Sequence, residues 1–164
     1  MSGAVMAQDE DDGYLATSVT GDYKYAEGQR FEADKTIVAD GNLTLNRDLE
    51  QKRIYEWDDP RLPGTLELRY GWDEFRMPGT ANTAYVEWGE ATLSDDEGTW
   101  EGPFFGTRLP DASSYNLQFW LDGSGAYEGI YAVLTMDDAR RGDQDIAGLI
   151  VEGELPPFVG APAE

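Results

Sequence analysis

Five carboxylates stand inside stretches of the chain whose apolar residues tend to alternate: Glu56, Glu87, Glu90, Glu101 and Glu152. A carboxyl group on the inward face of such a stretch loses its water, so its pKa rises and it can act as an acid or base near neutrality. Glu87 is the leading catalytic candidate, because the two-residue period of a strand puts Tyr85 on its face and offers a phenol as its proton-sharing partner. Glu101 and Glu152 stand in reserve. For every one of these residues the competing assignment is an outward, solvated carboxylate, since the chain carries 33 Asp and Glu against 12 Lys and Arg.

The second set of candidates is aromatic, in a chain with five Trp and nine Tyr. Tyr55, Trp57, Tyr70, Trp72, Tyr85, Trp88, Trp100, Phe119, Trp120, Tyr127 and Tyr131 fall on or beside expected strands, where they could line a pocket and hold a flat or terpenoid-like guest by stacking and desolvation. Gln118 could orient a polar group of that guest. Ordinary core packing is the alternative for each ring. Arg69 alternates with apolar residues and should form surface ion pairs. Arg61, in the turn Asp58-Asp59-Pro60-Arg61, should fix its loop through Asp58 or Asp59.

Much other chemistry is excluded. The chain has no His and no Cys, which removes His-based triads, the commonest transition-metal ligand, thiolate nucleophiles and disulfides. The acidic turns at Asp95–Gly98 and Asp137–Asp145 lack the spacing of a calcium loop, so no metal site is expected. There is no phosphate loop, dinucleotide fingerprint or nucleophile elbow, and no cofactor is expected.

At 164 residues and a formal charge of −21, the chain has the size of one domain and a surface that repels nucleic-acid phosphates and anionic lipids. No apolar run has the length of a membrane helix, and no membrane insertion is expected. Residues 1–13 and 156–164 read as an acidic and a Pro-rich tail around a domain at 14–155. Ala4-Val5-Met6-Ala7 puts small residues where an export cleavage site needs them. A secreted or periplasmic location is the expectation, with a cytoplasmic one as the alternative.

The period along the domain is that of strands. They are expected near 14–23, 35–39, 53–58, 65–72, 83–93, 99–106, 115–121, 129–136 and 146–154. Leu43–Lys52 has some helical appeal but could equally be loop or strand. The runs 83–93 and 99–105 should form a hairpin around Ser94–Gly98, with Gly98 supplying a positive φ. Further turns are expected at Asp122–Gly125 and Asp137–Asp143. Eight or nine such strands suit an all-β fold, a closed antiparallel barrel of about eight strands or a sandwich.

Three motifs carry a resemblance. They are Tyr85-Val86-Glu87-Trp88-Gly89 running to Leu93, then Gly98-Thr99-Trp100-Glu101-Gly102, then Gly123-Ser124-Gly125-Ala126-Tyr127-Glu128-Gly129. With Val19-Thr20-Gly21 and Asp58-Asp59-Pro60-Arg61-Leu62-Pro63-Gly64-Thr65, they resemble the allene oxide cyclase and dirigent-type barrel superfamily, and more closely uncharacterised bacterial proteins with the same hairpin and Gly-Ser-Gly-Ala-Tyr-Glu-Gly turn. The resemblance spans most of residues 19–156. It implies an eight-stranded barrel, oligomeric in many relatives, with an apolar interior that holds a small hydrophobic molecule. It further implies a cofactor-independent isomerase or cyclase acting by confinement, with limited help from the Tyr85–Glu87 pair. The competing reading is a non-catalytic binding or structural module whose barrel is filled by its own side chains.

Overall fold

The computed structural model describes residues 15–30, 36–38, 40–79, 83–108, 115–138 and 145–155. The expected tails and residues 139–144 of the third turn lie outside them. The described chain is all β: β1 (Ala16–Arg30), β2 (Thr36–Val38), β3 (Leu43–Trp57), β4 (Thr65–Arg76), β5 (Thr83–Ser94), β6 (Gly98–Arg108), β7 (Tyr115–Gly125), β8 (Ile130–Asp138) and β9 (Ile146–Glu152).

Every pairing is antiparallel, in the order β1-β9-β8-β7-β6-β5-β4-β3-β2, and a further β1–β3 pairing closes the strands into a barrel-like ring. β1 runs along β3 until Arg30 faces Glu50, and β2 resumes on the same edge where Thr36 faces Leu45. The two act as one interrupted strand, so the ring has eight staves. Closure removes the exposed edges that invite aggregation.

Leu43–Lys52 belongs to β3, a single strand of 15 residues with 53–57, rather than to a helix or loop. Its alternation is hard to read because a bulge between Asn46 and Leu49, with Asp48 at φ 57°, adds a residue and switches the buried parity. Beyond the bulge Leu49, Gln51, Arg53 and Tyr55 are buried, while Glu50, Lys52 and Glu56 are exposed.

The lower part of the ring is filled. Leu66, Leu93, Trp100, Phe104, Phe119, Leu121, Ala132, Leu134 and Ile150 are at most 1% exposed. Phe104 stacks on Phe119 with centroids 5.3 Å apart. Large and small residues alternate across strands, which lets the rings fit the taper of a small barrel. At Gly106, for example, an added β-carbon would fall 2.1 Å from Leu117 Cδ2.

The segment 58–64 closes this end. Leu62 enters the core, the Trp100 Nε1–H donates to the Arg61 carbonyl at 2.8 Å, and the Trp57 Nε1–H donates to the Pro63 carbonyl at 2.7 Å. Asp59 binds the Arg61 guanidinium through both oxygens, at 2.9 and 2.7 Å. Asp58 turns away to accept from the Thr20 amide and hydroxyl.

The β5–β6 hairpin forms as expected, yet Gly98 is not among the positive-φ residues. Its role is close approach. A β-carbon there would lie 2.3 Å from the Ser124 carbonyl and 2.8 Å from the Tyr127 ring. Tyr127 is buried, stacks on Trp100 at 5.2 Å and donates its hydroxyl to Asp95 at 2.7 Å. Asp95 also accepts from the Glu97 and Gly98 amides, so its carboxylate holds the turn. Gly98→Ala is therefore expected to lower stability by about 1–3 kcal/mol, the usual cost of forcing atoms into a packed site. Urea unfolding measures this, and an unchanged midpoint would show that the Tyr127 corner yields freely.

Candidate functional site

Inward residues of neighbouring strands form rows around the ring. The row through the candidate carboxyl runs Trp72 on β4, Glu87 on β5, Gly106 on β6, Leu117 on β7, Met136 on β8 and Ile146 on β9. Glu87 is 7% exposed. Among the described residues its Oε1 is the buried side-chain oxygen or nitrogen without a hydrogen-bond partner. Burial pushes its pKa up from 4.5 to about 7, against a smaller opposing pull from Arg53. Near neutrality it can therefore hold or release a proton.

Arg53 is the charge that answers it. The side chain is 5% exposed and points inward from β3. Its Nε–H donates to Gln51 Oε1 at 3.0 Å and its Nη1–H to Met136 Sδ at 3.2 Å. β3 and β8 are not neighbours in the ring, so the guanidinium crosses the interior to reach that sulfur. The Tyr55 hydroxyl also points to Met136 Sδ, at 3.6 Å, and burial pushes this phenol up to about 12. Tyr70, inward on β4, is raised to about 12 by burial and then by the charge of Glu87.

Tyr85 shares the inner face with Glu87 but does not bond to it among the described contacts. Its ring stacks on Trp72 with centroids 5.0 Å apart, and the Arg108 guanidinium lies 5.7 Å from its centre. Trp72 and Tyr85 thus form an aromatic wall beside the carboxyl.

Tyr55 and Trp100 are core residues, and Trp57 packs on the core from its edge. Trp88, Gln118, Trp120 and Tyr131 do not line the interior, because each alternates with inward neighbours such as Phe119, Leu121 and Ala132 and so faces outward. Trp88 lies under the Arg47 guanidinium at 4.8 Å. Gln118 is exposed, as are Glu101 and Glu152. Glu56 pairs with Lys24 at 3.0 Å.

Gln51, Arg53 and Met136 are interior residues that the sequence reading did not select as functional, whereas Tyr70 was among its pocket-lining aromatics. The signal for the first two was the alternation Gln51, Arg53, Tyr55, obscured by the bulge that precedes it.

Two clefts lie outside the ring. The larger, about 950 Å³, runs over β3–β6 between Glu50, Lys52, Glu67, Arg69, Glu90 and Glu101. Its cations already pair, Lys52 with Glu67 and Arg69 with Glu50. The smaller, about 440 Å³, includes Arg47 and Trp88. Both stand open to solvent, unlike an enclosed pocket for an apolar guest. Among the described residues no group of three or more acidic side chains is placed to hold a metal ion. Among the described residues no helix is long and apolar enough to cross a membrane.

Fold and site together define a closed antiparallel β ring with one apolar end and one interior layer of buried polar groups. No protein-family model, curated protein or solved structure matches the chain.

Proposed function

We propose that the chain encloses a small, mostly apolar molecule at the end of the ring where Glu87, Tyr70, Trp72 and Tyr85 converge, and that it isomerises or cyclises this guest by confinement. Glu87 gives limited acid-base help, and the Trp72–Tyr85 wall orients the guest by stacking. Membership of the allene oxide cyclase and dirigent-type superfamily is part of the same proposal, resting on the hairpin and the Gly123–Gly129 corner. The observation that carries the reading is the buried, unpartnered carboxyl of Glu87. A strongly perturbed acid facing an interior is a mark of functional sites.

The second reading, a non-catalytic module filled by its own side chains, draws on the dry packing of Trp100, Phe104 and Phe119. Titration of intrinsic Trp fluorescence with polyenes, terpenoids and phenolics separates the two. Saturable quenching is expected, because Trp72 stands directly opposite Glu87. With a turned-over ligand in hand, Glu87→Gln should leave the fold intact and slow turnover by roughly 10²-fold or more, the low end of what general acid-base catalysis supplies. Flat titrations across the whole panel would favour the filled module.

A further inference from the structure

Unpaired buried polar groups are rare in folded proteins, and each one calls for a partner. Glu87 Oε1 has none among the described residues. Cross-strand register sets Trp72 opposite Glu87 and Tyr70 opposite Gly89, so Tyr70 is the diagonal neighbour of Glu87 on the same inner face. Gly89 contributes no side chain between them. The Glu87 charge acts on the phenol, and the Tyr70 hydroxyl makes no hydrogen bond to any described residue. Two polar groups with free hydrogen-bonding capacity therefore sit side by side beneath an aromatic wall.

The charge balance narrows what could join them. Arg53 faces Glu87 from β3, with its Nε–H and an Nη1–H donated to Gln51 and Met136. Arg108, over the Tyr85 ring, adds a second cation, an exposed one, at the end of β6. An anionic head group would meet Glu87, and a cationic one would meet Arg53. Either would set a like charge beside one already buried, a repulsion that the interior screens poorly. An uncharged oxygen carries no such penalty.

We infer that the guest is a mostly apolar molecule with one uncharged oxygen function, a carbonyl or hydroxyl, and that Glu87 and Tyr70 hold this oxygen between them. Tyr70 donates its O–H to the guest oxygen. Glu87 accepts a hydrogen bond from a guest hydroxyl as the carboxylate, or donates one to a guest carbonyl as the acid. The inference rests on the enclosure reading above and adds the chemical class of the guest.

Four probes with one carbon skeleton test it: limonene, a hydrocarbon; carveol, its alcohol; carvone, its ketone; and perillate, a carboxylate. Each is titrated into the full chain by Trp fluorescence, with calorimetry as the second readout. Carvone and carveol are expected to bind roughly tenfold tighter than limonene, the value of one good hydrogen bond to an otherwise unpaired partner. Tyr70→Phe and Glu87→Leu should each erase most of that advantage while limonene binding stays where it was. Circular dichroism confirms the fold of both variants, and Tyr70→Phe alone suffices if Glu87→Leu misfolds. Equal affinity for limonene, carvone and carveol would overturn the inference and leave the enclosure reading standing. Tightest binding of perillate would overturn it in favour of an anionic guest. Silence from all four, and from longer polyenes as well, would remove the enclosure reading and this inference with it.

Discussion

Trp100→Ala is expected to cost about 3–5 kcal/mol of folding stability, the range for truncating a large buried aromatic. The ring is 0% exposed and does three things at once. It fills the apolar end of the ring, stacks on Tyr127 at 5.2 Å, and donates its indole N–H to the Arg61 carbonyl. Alanine leaves a void bounded by strands that cannot collapse inward, because each is hydrogen-bonded on both sides. It also strips the partner from a carbonyl in the segment that closes this end. Against a typical total of about 5–15 kcal/mol, such a loss takes about a fifth of the stability or more. Chemical denaturation should show a large fall in midpoint at nearly constant slope. Trp88→Ala supplies the contrast, since this outward ring makes a cation–π contact with Arg47 worth about 1 kcal/mol. If both variants lose equally little, the Trp100 end is not the packed foundation of the fold.

That contrast also shows what the sequence could and could not reveal. Strand period and the hairpin were readable because each is a local property, whereas the turn expected at Asp122–Gly125 follows Gly125, the last residue of β7. Leu117, Phe119 and Leu121 share one face of β7, and the period-2 rule groups them without tertiary knowledge although Trp120 stands large on the other. Which aromatics look inward is not local. Trp88 and Trp100 lie on adjacent strands of one hairpin, yet the first faces out and the second is core. Their positions relative to the turn set this, and so does register across the whole ring. The same reasoning explains the site. Glu87 could be named because Tyr85 shares its parity and because it lies in the hairpin that carries the resemblance. Arg53 could not, because the bulge at Asn46–Leu49 broke the pattern before it. Its contact with Met136 spans 83 positions of sequence and strands that are not neighbours. The Gly-Ser-Gly-Ala-Tyr-Glu-Gly stretch was read as a fold marker, and its chemistry agrees: Gly125 and Gly129 take φ of 68° and 84°, while Tyr127 ties the corner to Asp95.

Glu87→Gln is expected to stabilise the protein at alkaline pH by about 3 kcal/mol and to do little at acid pH, the free-energy equivalent of the shift of this carboxyl from 4.5 to about 7. The sign follows from proton counts. Below pH 4.5 the group is protonated in folded and unfolded chains alike, and the native state bears no ionisation penalty. Between 4.5 and about 7 the unfolded chain releases the proton while the folded chain keeps it. The unfolded state gains, so stability falls as pH rises. Above the folded value both states are ionised and the decline stops, with a bare carboxylate held in the ring. Glutamine does not titrate here, so this part of the slope vanishes. Of the groups that face Glu87, Tyr70 on β4, raised to about 12, stays neutral across the window, and Arg53 on β3 is present in both proteins alike. Glu90, whose pKa is raised by burial and by Glu101, also titrates in both. The difference between two urea-midpoint curves taken from pH 4 to 9 therefore isolates Glu87. Parallel curves would mean that the carboxyl is hydrated in solution, and the case for a perturbed acid would fall. A widening gap would mean that the chain carries at neutral pH an ionisable group that weakens its own fold. Such a group gains a favourable role once something else supplies its missing partner. A bound guest whose oxygen meets Glu87 should then flatten the slope of the parent protein toward that of the glutamine variant, a linkage that ties the stability measurement to the binding one.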